Sequence, residues 1–181
     1  DITPGHALAH RAFEQGITIA EKIAGADPKP VIDDTVPQVV FSFPEAASVG
    51  LTLDQAKARE DVVEPKETAY PMREAKADTE LVDVTETLIP VMSNARMLMS
   101  GEGGSMTVVS GAFANNPDMQ VVLGVHIVSP IASDLIAEAE QLVGNRVPLA
   151  DAARLIHPHP TFSETLGEAL LKADGRPLHT R

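Results

Sequence analysis

The chain has 181 residues, 44% hydrophobic and 22% charged, the composition of a soluble globular protein with room for one real core. Its 14 Lys and Arg stand against 26 Asp and Glu, a net charge of −12 spread along the chain, which excludes nucleic acid and anionic membrane as partners. Cysteine is absent, so disulfides, thiolate metal sites and cysteine nucleophiles are excluded from this stretch, and a cytoplasmic location is expected.

No apolar run approaches the ~18 residues of a membrane span. The start, DITPGHALAH, has neither the basic beginning nor the apolar centre of a signal peptide. A chain that begins at Asp1 reads as a piece of a longer protein. With five Phe, one Tyr and no Trp, the core must be built from Val, Leu, Ile, Ala and Met.

From His6 to Ala24, apolar residues at Leu8, Ala12, Phe13, Ile17, Ala20 and Ile23 trace one stripe of an amphipathic helix. Residues 26–36, with Pro28 and Pro30, read as a linker. VPQVVFSF (36–43) predicts a short strand, PEAASVG a turn, and Thr52-x-x-Gln55 a capping box that opens a short helix. Val62 to Tyr70 and Thr79 to Met92 are rich in β-branched residues and predict strands. GEGGS (101–105) lacks the spacing of a phosphate-binding loop and predicts a hairpin turn.

Met106–Val109 and Met119–Val128 predict two further strands. The second ends in VVLGVHIV, a run expected of a central strand covered on both faces. IASDLIAEAEQLV has helical periodicity, with Pro130 placed for its first turn. Leu149–Ile156 and Phe162–Ala173 predict two more helices, the last with Thr161-x-x-Glu164 as a candidate capping box. Strands in the middle and helices at both ends predict an α+β fold, an antiparallel sheet with helices packed on one face.

The segment most suited to chemistry is HPHPTFSE, residues 157–164. His157 and His159 each precede a proline, which keeps both backbones extended and makes a stiff arm. Three readings stand side by side. In the first, Glu164 caps the final helix and His157 packs its ring. In the second, His-x-His binds a metal, since alternate residues of an extended arm face the same way; no third or fourth ligand is near in sequence, and we assign no metal site. In the third, His159 is an acid–base group, suited by its ordinary pKa near ~6.5, with Glu164 fixing its tautomer.

HPHPTFSE followed by TLGEALLKADGRPLH resembles the C-terminal signature of the dihydrolipoamide dehydrogenases, FAD-dependent pyridine nucleotide–disulfide oxidoreductases. DITPGHALAHRAFEQG, VPQVVFSFPEAASVGLT and VLGVHIVSPIASDLIAEA resemble further segments of that family in the expected order. The match is weak between about residues 60 and 99, which reads as an inserted hairpin.

The resemblance implies that residues 1–30 end the FAD-binding region and begin the next helix, and that residues 31–181 form the dimerisation, or interface, domain. It implies that His159 is the general base for the thiol of dihydrolipoamide and Glu164 its orienting partner, serving the active site of the other subunit of a homodimer. It makes His159–Pro160 a candidate cis peptide. It assigns Asp1 to the FAD ribityl chain, and Leu8, Ala9 and His10 to the helix N-terminus that approaches the flavin, where amides stabilise negative charge. FAD and NAD are the cofactors implied for the longer parent, and the lipoyl domain of 2-oxoacid dehydrogenase complexes is its implied partner. The 181 residues lack a redox cysteine pair and a Gly-rich FAD fingerprint, so alone they are expected to be inactive and to hold no cofactor firmly. Two other readings remain open: a dimerisation module without catalysis, and a related disulfide reductase of the glutathione-reductase kind.

Overall fold

The run VVLGVHIV forms the spine of the fold. A computed structural model describes residues 2–59 and 80–180; Asp1 and the strand expected at 62–70 lie outside them. The run belongs to the 14-residue strand Asn116–Ser129 (β5), flanked by Glu45–Gly50 (β2) and Ser105–Phe113 (β4). Gln38–Val40 (β1) and Leu81–Pro90 (β3) close the edges. The described residues thus form an antiparallel sheet in the order β1-β2-β5-β4-β3.

Alternation along the strands divides the buried residues between two faces. Val108 and Val122 belong to the larger cluster, and their neighbours Val109 and Val121 to the smaller. Helices Ala132–Gly144 (α4), Leu149–Ala152 (α5) and Glu164–Ala173 (α6) cover the larger cluster, as the α+β expectation required. The short helix Leu53–Ala58 (α2) places Ala56 in the smaller cluster on the opposite face. α6 is held down by Leu166 and Leu170, both fully buried and each contributing about 2 kcal/mol relative to exposure.

The amphipathic N-terminal helix is Ala9–Ile23 (α1), and the Thr52–Gln55 capping box is present in both halves. Thr52 Oγ1 accepts from the Gln55 amide at 3.3 Å, while the Thr52 amide donates to Gln55 Oε1 at 2.9 Å.

Several expectations are corrected. PEAASVG is not a turn: Glu45–Gly50 is β2, and the chain reverses before it, around the cis Phe43–Pro44 bond. Pairing with β5 overrides the weak strand propensity of these small residues. Gly50 (φ +80°) ends the strand where a Cβ would strike the Leu123 carbonyl, so the glycine marks a close approach. GEGGS is not a hairpin turn either. It follows a helix that the sequence reading missed, Ala95–Ser100 (α3), whose C-cap Gly101 is left-handed. α5 ends at Ala152 rather than Ile156, α4 begins after Pro130, and α6 starts at Glu164 rather than Phe162.

His126, at the sheet centre, is explained by local polar bookkeeping. Its Nε2 donates to the Leu51 carbonyl at 3.1 Å, which leaves Nδ1 to accept from the Ser48 hydroxyl at 2.6 Å. Among the described residues no helix is long and apolar enough to cross a membrane.

Candidate active site

The arm between α5 and α6 carries both histidines of HPHPTFSE. His159 Nδ1 bonds Glu164 Oε1 at 2.9 Å, and the His159–Pro160 peptide is cis, as expected. The His159 side chain is 72% exposed, whereas Glu164 is 25% exposed. The carboxylate is therefore half-sheltered and its imidazole partner stands out from the surface.

Glu164 is fixed by a second bond. Its Oε2 accepts from the Thr161 amide at 2.8 Å. This is only half of the expected capping box, because the Thr161 hydroxyl donates backwards to the Pro158 carbonyl at 2.6 Å. Ser163 takes the N-cap position instead. The Thr161 amide, and then the His159 ring, hold the Glu164 carboxyl below its ordinary range against an opposing effect of burial. An ionised carboxylate on Nδ1 selects the tautomer that carries its proton there, leaving Nε2 as the acceptor.

His157 behaves differently from His159, although the two lie two residues apart. Its side chain is only 9% exposed, and Nε2 bonds Glu138 Oε1 of α4 at 2.8 Å. The bond to Glu138 raises its pKa, with burial opposing. The expectation that alternate residues of the arm face the same way thus fails. Each ring follows its own carboxylate, one inward to α4 and one outward on α6. Among the described residues no group of three His, Cys, Asp or Glu side chains could hold a metal ion.

Two anchoring side chains, Asn94 and Glu168, escaped the sequence reading. Asn94 caps α3 by accepting from the Arg96 and Met97 amides at 2.8 and 3.2 Å, and its Nδ2 donates to the Thr161 carbonyl at 2.9 Å. An Asn ahead of a helix-forming run was the available signal. Glu168, one turn beyond Glu164, accepts at Oε1 from the amides of Leu178, His179 and Thr180 and from the Thr180 hydroxyl, at 2.7–3.1 Å. That carboxylate draws the C-terminal segment onto α6 and sets His179 beside the site. Together His159, Glu164, Glu168, His179, Asn94 and Thr165 line a cavity of about 110 Å³.

The residues assigned to a flavin contact sit elsewhere, at the start of α1. Leu8 is its N-cap, Ala9 its first residue, and Ala9 and His10 are exposed. The His10 ring is engaged, Nε2 donating to the Pro37 carbonyl at 2.7 Å. No acidic side chain lies in the first turn, and the leading amides have no intrahelical acceptor.

The chain matches the pyridine nucleotide-disulphide oxidoreductase dimerisation domain over residues 36–170. It is 35% identical over 180 residues to a dihydrolipoyl dehydrogenase of Bacillus subtilis, covering 99% of this chain and 32% of that protein. It is 38% identical over 181 residues to a dihydrolipoyl dehydrogenase of Cupriavidus necator, with the same coverage. Among solved structures it is similar to LpdA of Mycobacterium tuberculosis, with a TM-score of 0.75 and 26% identity over 94% of this chain and 32% of that one. The flavoprotein disulfide reductase RclA of Escherichia coli shares the fold, with a TM-score of 0.65 and 20% identity over 94% of this chain and 34% of that one. The chain spans about a third of the length of the curated relatives it matches. An antiparallel sheet roofed by α4, α5 and α6, with a histidine–glutamate pair standing out beside it, thus accompanies a domain match across most of the chain: it belongs to the pyridine nucleotide–disulfide oxidoreductase family, of which it carries the dimerisation domain.

Proposed function

We propose that this chain is the dimerisation portion of a dihydrolipoyl dehydrogenase and supplies the acid–base pair of that reaction. The observation that carries the reading is the 2.9 Å bond between His159 and Glu164 on a ring that is 72% exposed. Glu164, held by Thr161, orients the ring through Nδ1. His159 Nε2 accepts the thiol proton of dihydrolipoamide, leaving a thiolate, the nucleophile of disulfide exchange.

The base serves a neighbouring copy of the chain in a homodimer. Exposed apolar side chains support such an interface, among them Phe41, Phe43, Leu98, Met99 and Ile156, which are costly to leave in water. The segment before residue 31 ends the flavin region of the parent. FAD, when bound, would relay the electrons of the dithiol to NAD. The start of α1 fits that group in one respect, since its free amides and lack of acidic neighbours suit a partner that gains negative charge. In the parent the substrate is the lipoyl group of a 2-oxoacid dehydrogenase complex.

The test is His159→Gln in the full-length dimer. Oxidation of dihydrolipoamide falls by about 10²–10⁴-fold if the ring is the base. Unchanged turnover would refute the assignment and favour a dimerisation module without catalysis.

A further inference from the structure

We propose that His157 is a positioning residue for the base at His159, clasping the Pro-rich arm to α4 and α6 through its bond to Glu138. The inference rests on the function proposed above. The arm has no regular secondary structure between α5 and α6, so its shape depends on individual anchors. Downstream of His159 they include the Thr161 amide to Glu164, the Thr161 hydroxyl to the Pro158 carbonyl, and Asn94 to the Thr161 carbonyl.

Upstream, the apolar residues do not hold it. Leu155 is 47% exposed and Ile156 95%. The anchor on that side is the His157 ring. It bonds Glu138 of α4 at 2.8 Å and lies over Gly167 of α6. Two charged groups face it, Glu138 from α4 and Glu164 from α6. At 9% exposure the ring is covered by its own chain, so it acts through the arm rather than on substrate. Two prolines stiffen the arm, Pro158 between the two rings and Pro160 immediately after His159, each removing backbone freedom next to the base.

The experiment uses the full-length dimer and steady-state oxidation of dihydrolipoamide. His157→Phe keeps a ring and removes both ring nitrogens, including the one that bonds Glu138. Its kcat is expected to fall about tenfold, within the range that sub-ångström to 1 Å misplacement of a reacting group produces. His157→Gln, which retains a donor toward Glu138, recovers part of that loss. Glu138→Gln, which perturbs the clasp from α4, lowers kcat in the same sense and guards against misfolding of the histidine variants.

The decisive measurement repeats His157→Phe in the His159→Gln background. A positioning role predicts no further loss there, within about twofold, because there is no base left to position. An equal loss in both backgrounds overturns the inference in favour of a general structural role. Unchanged kcat for both His157→Phe and Glu138→Gln overturns it as well. If His159→Gln impairs turnover and His157→Phe does not, this inference alone falls; if His159→Gln is itself silent, the proposed function falls and takes this inference with it.

Discussion

Glycine 167 lies in the interior of α6, where glycine is ordinarily about 1 kcal/mol worse than alanine. Gly167→Ala would on that ground stabilise the chain. The structure predicts the reverse. An added Cβ would stand 2.6 Å from His157 Nδ1 and 2.9 Å from Cε1, closer than carbon atoms pack. Either the ring or the helix must move. Overpacking of this kind costs about 1–3 kcal/mol. Displacing the ring also weakens its bond to Glu138, which we set at about 1 kcal/mol because Glu138 is 36% exposed and partly screened. Subtracting the gain in helix propensity leaves a net loss of about 2 kcal/mol, or roughly 4–8 °C in melting temperature for a chain of this size. Urea denaturation followed by circular dichroism measures it directly. In a His157→Ala background the obstruction is gone, and Gly167→Ala should then stabilise by about 1 kcal/mol. A stabilising Gly167→Ala in the otherwise unaltered chain would show that the ring does not occupy this position.

Other outcomes follow from the same geometry. Glu168→Ala removes the acceptor shared by Leu178, His179 and Thr180, and should destabilise by about 2–3 kcal/mol while releasing those three amides to fast hydrogen exchange; unchanged protection would show that the C-terminal segment is held by something else. Stability should peak in mildly acid solution. Glu164 and Glu168 have lowered pKa values. For Glu164 the Thr161 amide and His159 are responsible; for Glu168 burial pushes upward but is outweighed by the bonds from His179 and Thr180. Their contribution is therefore present above the ordinary 4.5 and lost as pH falls through the lowered values. His157 is raised, so its contribution is complete below 6.5 and lost as pH rises through its higher value. Denaturation midpoints across pH 3–9, compared with His157→Gln, should place the maximum near pH 5–6 and abolish the alkaline decline in the variant.

On the function proposed above, an interface domain that lends its base to a neighbour would have two tasks that pull apart. The His159 ring must be exposed within its own chain, yet held to a fraction of an ångström. Burying Glu164 partly, and anchoring the arm on both sides of the prolines, meets both demands without covering the ring. The anchors lie on α3, α4 and α6, so the dyad's geometry depends on the packing of the whole larger cluster.

What local physics controls could be read along the chain. Periodicity placed α1 and α4, the unbroken apolar run placed β5 at the centre, and Thr52 with Gln55 announced α2, because each signal is written within a few consecutive residues. His159 and Glu164 were legible as a pair for the same reason, being five residues apart across one helix start. That Glu45–Gly50 is a strand emerges only in the folded chain, since its small residues acquire that conformation by pairing with β5. Only folding separated His157 from His159, sending one ring to Glu138, 19 residues earlier, and leaving the other in the open. Contacts between distant segments are set by how helices seat on a sheet, and no short stretch of sequence encodes where a carboxylate on another helix will arrive.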